Sequence, residues 1–272
     1  MLSSLAPARR RLVLALLGIG VVAVAAGGLA LVAGRSSDAP VAAVDQSVPG
    51  PVLLVPGYGG STESLTVLAD RLRAAGRDAT VVDLPDGGTG DLAVQARTLA
   101  DAADAARSRT GAGSVDVVGY SAGGVVARIW AKDLGGAAEA RRIVTLGSPH
   151  HGTQLAGLAA GLVPGQCPTA CRQLAPDSFV LSALNSGDET PDGPQWVSFW
   201  TTRDQVVTPP RSASLDGARD VPVQDVCPSA TVDHGNLPRD PVVGALVLAE
   251  LGSGPTVTPG SGSCATYGGP RS

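Results

Sequence analysis

A serine flanked by small residues, set between a strand-like and a helix-like stretch, constrains this chain more than any other feature. Ser121 lies in Gly119-Tyr120-Ser121-Ala122-Gly123, after Ser114-Val115-Asp116-Val117-Val118 and before Val125-Val126-Ala127-Arg128-Ile129-Trp130. With 36 Gly in 272 residues, the bare five-letter pattern is weak. The context gives it weight. A sharp strand-to-helix turn needs small neighbours so that helix and strand can approach closely, and it lifts the hydroxyl above the sheet edge. It also leaves the next backbone N–H, that of Ala122, free to donate.

A nucleophilic serine at such a turn needs an acid and a base, in the chain order Ser, Asp or Glu, His. The chain has three His, and His150 and His151 precede any suitable acid. Downstream, Gln195-Trp196-Val197-Ser198-Phe199-Trp200-Thr201-Thr202 reads as a strand by its β-branched and aromatic alternation. It ends in Arg203-Asp204, which puts a carboxylate at the strand's C-terminal edge. Asp233-His234-Gly235-Asn236 follows in a turn-rich stretch. Ser121, Asp204 and His234 therefore occur in the required order. Asp225, after the strand-like Asp220-Val221-Pro222-Val223-Gln224, is the rival acid, whereas Asp233 adjoins His234 and would normally point away from its ring.

An oxyanion site needs a second N–H donor near the first core strand. Pro51-Val52-Leu53-Leu54-Val55-Pro56 is a short apolar run suited to a buried parallel strand. It breaks into Gly57-Tyr58-Gly59-Gly60, whose glycines let backbone approach a substrate. There the Tyr58 N–H would be one donor and Ala122 N–H the other.

Taken in order, Val55-Pro56-Gly57-Tyr58-Gly59-Gly60, Gly119-Tyr120-Ser121-Ala122-Gly123-Gly124, Leu146-Gly147-Ser148-Pro149-His150-His151-Gly152-Thr153 and Asp233-His234-Gly235 resemble a small bacterial lipase or esterase of the α/β-hydrolase superfamily. The resemblance spans roughly residues 50 to 252. Where many such lipases carry His-Gly before the oxyanion residue, this chain has Pro56-Gly57. The resemblance implies Ser121, Asp204 and His234 as catalytic residues, Tyr58 and Ala122 as oxyanion donors, and Gly57, Tyr120 and His151 beside the substrate. It implies an acyl ester or lipid substrate; no cluster of His, Cys and carboxylates has metal-ligand spacing, and no cofactor is expected. An acyltransferase with the same triad, and a non-catalytic surface module on a hydrolase scaffold, are the alternatives.

The expected fold is α/β: a minimal α/β-hydrolase with an approximately six-stranded, mainly parallel sheet and helices on both faces. Strands are expected at Pro51–Pro56, Asp78–Leu84, Ser114–Tyr120, Arg142–Gly147, Gln195–Thr202 and Val221–Asp225. Helices are expected near 62–75, 91–109, 122–134 and 241–251. Residues 150–194 read as irregular, an acyl-pocket wall or lid with Leu155, Leu158, Leu162, Val163, Phe179, Val180, Leu181 and Leu184 as its apolar side chains. The catalytic domain is expected over 50–252, after a linker at 35–49 and before a Gly/Ser/Pro-rich tail at 253–272. A monomer is expected.

Arg9-Arg10-Arg11 precedes a charge-free apolar stretch from Leu12 to Gly34, and a helix over it would span roughly 33 Å, enough to cross a bilayer's hydrocarbon core. Arginines on its N-terminal side predict an exported remainder. Residues 1–34 are thus a signal or membrane-anchor segment, an uncleaved anchor being favoured over a cleaved signal. Within it, Gly18-Ile19-Gly20-Val21-Val22-Ala23 matches a dinucleotide-binding pattern but lacks the βαβ context. Export agrees with cysteine usage. Cys167, Cys171, Cys227 and Cys264 allow two disulfides in three connectivities, of which Cys167–Cys171 with Cys227–Cys264 is the first choice. No basic run with interleaved aromatics points to nucleic acid: only 3% of residues are aromatic and the net charge is -4.

Overall fold

The computed structural model describes residues 44–256, 258–260 and 262–269. The expected membrane segment at 12–34 lies outside the described residues. Among those described, no helix is long and apolar enough to cross a membrane.

The chain alternates strand and helix: β1 (Val52–Val55), α1 (Glu63–Ala74), β2 (Ala79–Val81), α2 (Leu92–Thr110), β3 (Val115–Tyr120), α3 (Ala122–Asp133) and β4 (Ala140–Leu146). Then come α4 (Gln154–Leu162), α5 (Thr169–Gln173), α6 (Phe179–Leu184), β5 (Gln195–Trp200), β6 (Arg219–Pro222), α7 (Val223–Val226) and α8 (Pro241–Glu250). The six strands form one sheet in the order β2-β1-β3-β4-β5-β6, and every neighbouring pair is parallel.

Period-two alternation divides the buried side chains between the two faces. Leu53, Val55, Val117 and Ile143 pack with Leu99, Val126 and Trp130 of α2 and α3. Val52, Leu54, Val118, Val144 and Phe199 pack with Leu65, Leu68, Val243 and Leu246 of α1 and α8. Both faces are covered, so the strands are apolar throughout, as a parallel sheet requires. Side-chain caps set the helix starts: Asp91 accepts from the N–H groups of Ala93 and Val94, and Asp240 from those of Val242 and Val243. Each such cap contributes about 1 kcal/mol. Gly111 ends α2 at φ 71°, a left-handed conformation that favours glycine.

Charges are concentrated at the N-terminal edge of the sheet. Buried Asp116 on β3 receives two bonds from buried Arg141, at 2.9 and 2.6 Å, and one from Arg77 at 2.6 Å. Arg141 also donates to the carbonyls of Gln46, Leu251 and Gly252, so the segments before β1 and after α8 converge on one carboxylate. Removing one partner of such a group typically costs about 3–5 kcal/mol, because the other charge stays buried.

The sequence expectations need three corrections. Residues 150–194 are not irregular: they contain α4, α5 and α6. The last strand ends at Pro222, and residues 223–226 turn into α7, so Asp225 lies on a helix rather than at a strand end. The second strand is three residues long, not seven. Both disulfides follow the first-choice pairing, Cys167–Cys171 and Cys227–Cys264. Cys264 lies in a turn, Ser263–Tyr267, that packs onto the α8 side of the core within the Gly-rich tail.

Candidate active site

After β1 the chain adds β2 on one side, then crosses back to place β3 on the other, so the strand order reverses between β1 and β3. Crevices in open parallel sheets form beyond the strand C-termini at such a reversal. The loop after β1 and the turn after β3 meet there. Ser121 makes that turn at φ 51°, ψ −124°, a conformation L residues rarely adopt. Its N–H is held by the Leu146 carbonyl at 2.9 Å.

Glycines make the turn possible. A Cβ on Gly119 would fall 2.5 Å from the Gly124 Cα, and one on Gly123 would collide with the Val55 carbonyl oxygen. One on Gly57 would fall 2.9 Å from the Ser121 Cβ. Strand, helix and the loop after β1 therefore touch backbone to backbone around this one hydroxyl.

His234 opens a short 3-10 turn, His234–Asn236. Its Nε2 stands 3.0 Å from Ser121 Oγ and its Nδ1 2.7 Å from Asp204 Oδ2. All three side chains are largely buried: 9% exposed for Ser121, 5% for Asp204 and 6% for His234. The other Asp204 oxygen accepts from the N–H groups of Val206 and Val207 at 2.9 and 2.8 Å. With Asp204 as acceptor, Nδ1 carries the proton and Nε2 is free to accept from the serine hydroxyl. Asp233 points elsewhere, its Oδ1 accepting from the N–H and the side-chain amide of Asn236.

Several supports were not visible in the sequence. Gly147, at φ 56°, lies against the Asp204–His234 pair: a Cβ there would fall 3.2 Å from His234 Nδ1 and 3.3 Å from Asp204 Oδ2. Thr201 donates to the Val232 carbonyl at 2.8 Å and so ties the acid loop to the segment leading into His234. Gln224 on α7 donates to the Thr201 hydroxyl at 2.9 Å, which gives that short helix a place in the assembly. Thr153, the N-cap of α4, donates to the Val206 carbonyl at 2.6 Å and anchors α4 to the acid loop.

The expected substrate-side residues take three different positions. Gly57 packs on the Ser121 Cβ. Tyr120 lies behind His234, its hydroxyl donating to the His234 carbonyl at 3.2 Å and its ring 5.3 Å from the imidazole. Burial, reinforced by the charges of Asp204 and Asp233, pushes its phenol up to about 12. His151 is outside the cleft, with Nε2 3.0 Å from Glu189 Oε1. His150 is fully buried, 3.1 Å from the Thr145 hydroxyl. Thr145 donates onward to Ser198, and Ser198 to the Ala213 carbonyl, so His150 Nε2 is the donor to Thr145.

Above Ser121 opens a cleft of about 270 Å³. Tyr58 and Leu155, Ala156, Leu174, Val206 and Val207 line it, so its walls are largely apolar. Leu158, Leu162 and Val163 continue an exposed apolar surface from α4, whereas Leu181 and Leu184 are core residues. Among the described residues, no group of His, Cys, Asp and Glu could hold a metal ion.

The family described as alpha/beta hydrolase fold matches residues 50–182. The chain has the α/β-hydrolase fold, and it resembles lipases and esterases of that superfamily. Lipase B of Aspergillus fumigatus is similar at a TM-score of 0.67 and 20% identity, over 77% of this chain and 54% of that one. At that identity the likeness is one of fold. The mature form of Bacillus licheniformis lipase BlEst2 is similar at a TM-score of 0.51 and 25% identity, over 57% of this chain and 66% of that one. The chain thus spans about half the length of the fungal lipase. No curated protein matches the sequence.

Proposed function

We propose that this protein is an exported serine hydrolase that cleaves carboxylic esters of lipids, as a lipase or carboxylesterase, through an acyl-enzyme on Ser121. The observation that carries the reading is the continuous relay from Ser121 Oγ through His234 to Asp204, at 3.0 and 2.7 Å. His234 removes the hydroxyl proton as Ser121 attacks the ester carbonyl, and Asp204 holds the imidazole in the required tautomer. The backbone N–H groups of Tyr58 and Ala122 have no hydrogen-bond partner among the described residues, and they take the developing oxyanion. Water then enters against the acyl carbon, with His234 as its base, and releases the acid. The largely apolar cleft beside Ser121 accepts the acyl chain. Two disulfides fit an oxidising compartment, which supports export.

The test is turnover of p-nitrophenyl esters of graded acyl length by the full chain and by Ser121→Ala, with and without a competing alcohol. Hydrolysis that persists in the Ser121→Ala protein would overturn the assignment. Product ester formed at the expense of acid would favour acyl transfer instead.

A further inference from the structure

The run from Leu146 to Thr153 supplies none of Ser121, His234 and Asp204, yet it touches the surroundings of all three. The Leu146 carbonyl accepts the Ser121 N–H at 2.9 Å. Gly147 lies against Asp204 and His234, and Ser148 packs on Gly124 near the start of α3. At the other end, Thr153 donates to the Val206 carbonyl at 2.6 Å and accepts from the Thr208 N–H at 3.2 Å, on the loop that follows Asp204. A shift of this segment would therefore move the three side chains relative to one another.

His150 pins the middle of the segment. Its ring is fully buried, and burial keeps it neutral, so it has one N–H. Nε2 gives that proton to Thr145 of β4 at 3.1 Å, Thr145 donates to Ser198 of β5, and Ser198 to the Ala213 carbonyl. The His150 carbonyl is held in turn by Asn185 at 3.0 Å and by Arg128 at 3.4 Å. Nδ1 is buried with no hydrogen-bond partner among the described residues. Such an atom costs free energy that an apolar side chain of like size would not. Packing alone therefore gives no reason for a histidine here, whereas the bond from Nε2 to Thr145 does. Resting on the ester-hydrolase reading, we propose that His150 is a positioning residue: through Thr145 it fixes the segment from Leu146 to Thr153, and with it the mutual placement of Ser121, His234 and Asp204.

The experiment measures kcat and KM of the full chain on p-nitrophenyl butyrate. His150→Leu and Thr145→Val should each lower kcat about tenfold or more and leave KM within about twofold, because small misplacements of reacting groups act on the chemical step. The double variant should lose no more than either single one, since both remove the same bond. His150→Gln, whose amide can reach Thr145, should keep kcat within about threefold of wild type. The downfield proton resonance of the bond from His234 Nδ1 to Asp204 should broaden in His150→Leu and Thr145→Val and persist in His150→Gln. A variant that only weakened the fold would show it unchanged well below its unfolding temperature. Wild-type kcat in Thr145→Val, additive losses in the double variant, or an unchanged resonance in both single variants would overturn the inference and leave the hydrolase reading standing. Thr145→Val decides the matter where His150→Leu does not fold. A wild type that turns over no ester would overturn both.

Discussion

The Tyr120 hydroxyl donates to the backbone carbonyl of His234 at 3.2 Å, so the residue just before Ser121 holds the main chain of His234. Ser121 and His234 are thereby linked twice, once through their side chains and once through this neighbour. Tyr120→Phe should lower stability by about 1 kcal/mol, the usual net worth of such a bond. The buried phenol ionises only at about 12, against an ordinary value of 10.0. Between those values the unfolded chain has lost the proton and the folded one has kept it, so stability falls as pH rises through that window. Tyr120→Phe lacks this slope. The wild type's lead in urea unfolding should shrink from about pH 9 to about pH 11; a constant lead would contradict it.

Asp204→Asn should retain the fold and lower turnover by about three to four orders of magnitude, because an amide leaves the wrong imidazole nitrogen protonated. Asp225→Asn, on α7, should change turnover far less. Initial rates on a short-chain ester, with circular dichroism on both variants, compare them.

Ser121→Gly should be inactive yet more stable than wild type by about 1 kcal/mol or more, since glycine adopts φ 51° without the steric cost a serine bears. Ser121→Ala, which keeps a Cβ, should show no comparable gain. Thermal unfolding of the two variants side by side gives the answer. Equal midpoints would mean the turn is not strained.

Burial, with smaller contributions from Arg128 and His151, holds His150 well below the ordinary 6.5. An unfolded chain takes up a proton there as pH falls below about 6.5, while the folded one resists it. Stability from this group is present above that value and lost on acidification. His150→Gln should therefore flatten the acid limb of the stability curve between about pH 6.5 and pH 5. Denaturant midpoints across that range check the slope.

Residues that act through local chemistry were legible in the sequence. The glycines around Ser121 announce a backbone turn wherever the chain folds, and the alternation in Gln195–Trp200 announces a strand with Asp204 beyond it. Residues that act through distant contacts were not. Gly147 is one of 36 glycines until the fold brings it against Asp204 and His234. Nothing local marks Arg128, Arg141 and Arg142 as core residues, yet each is buried and bonded to carbonyls far along the chain. The helices in 150–194 were obscured by Gly157, Gly161, Pro164 and Pro168, which mark breaks between short helices as readily as a loop. Asp225 looked like a strand-end acid because Val221 and Val223 alternate, but Pro222 ends the ladder between them.

The Cys227–Cys264 bridge closes a covalent ring across 37 residues of sequence. His234 and all of α8 lie inside that ring, while Ser121 and Asp204 lie outside it. Loop-closure entropy for a ring of this size corresponds to about 4 kcal/mol of restraint on the unfolded chain. The restraint therefore falls on the segment that carries His234. Reduction of this bridge would loosen the segment that presents His234, while Ser121 and Asp204 would keep their places beyond β3 and β5.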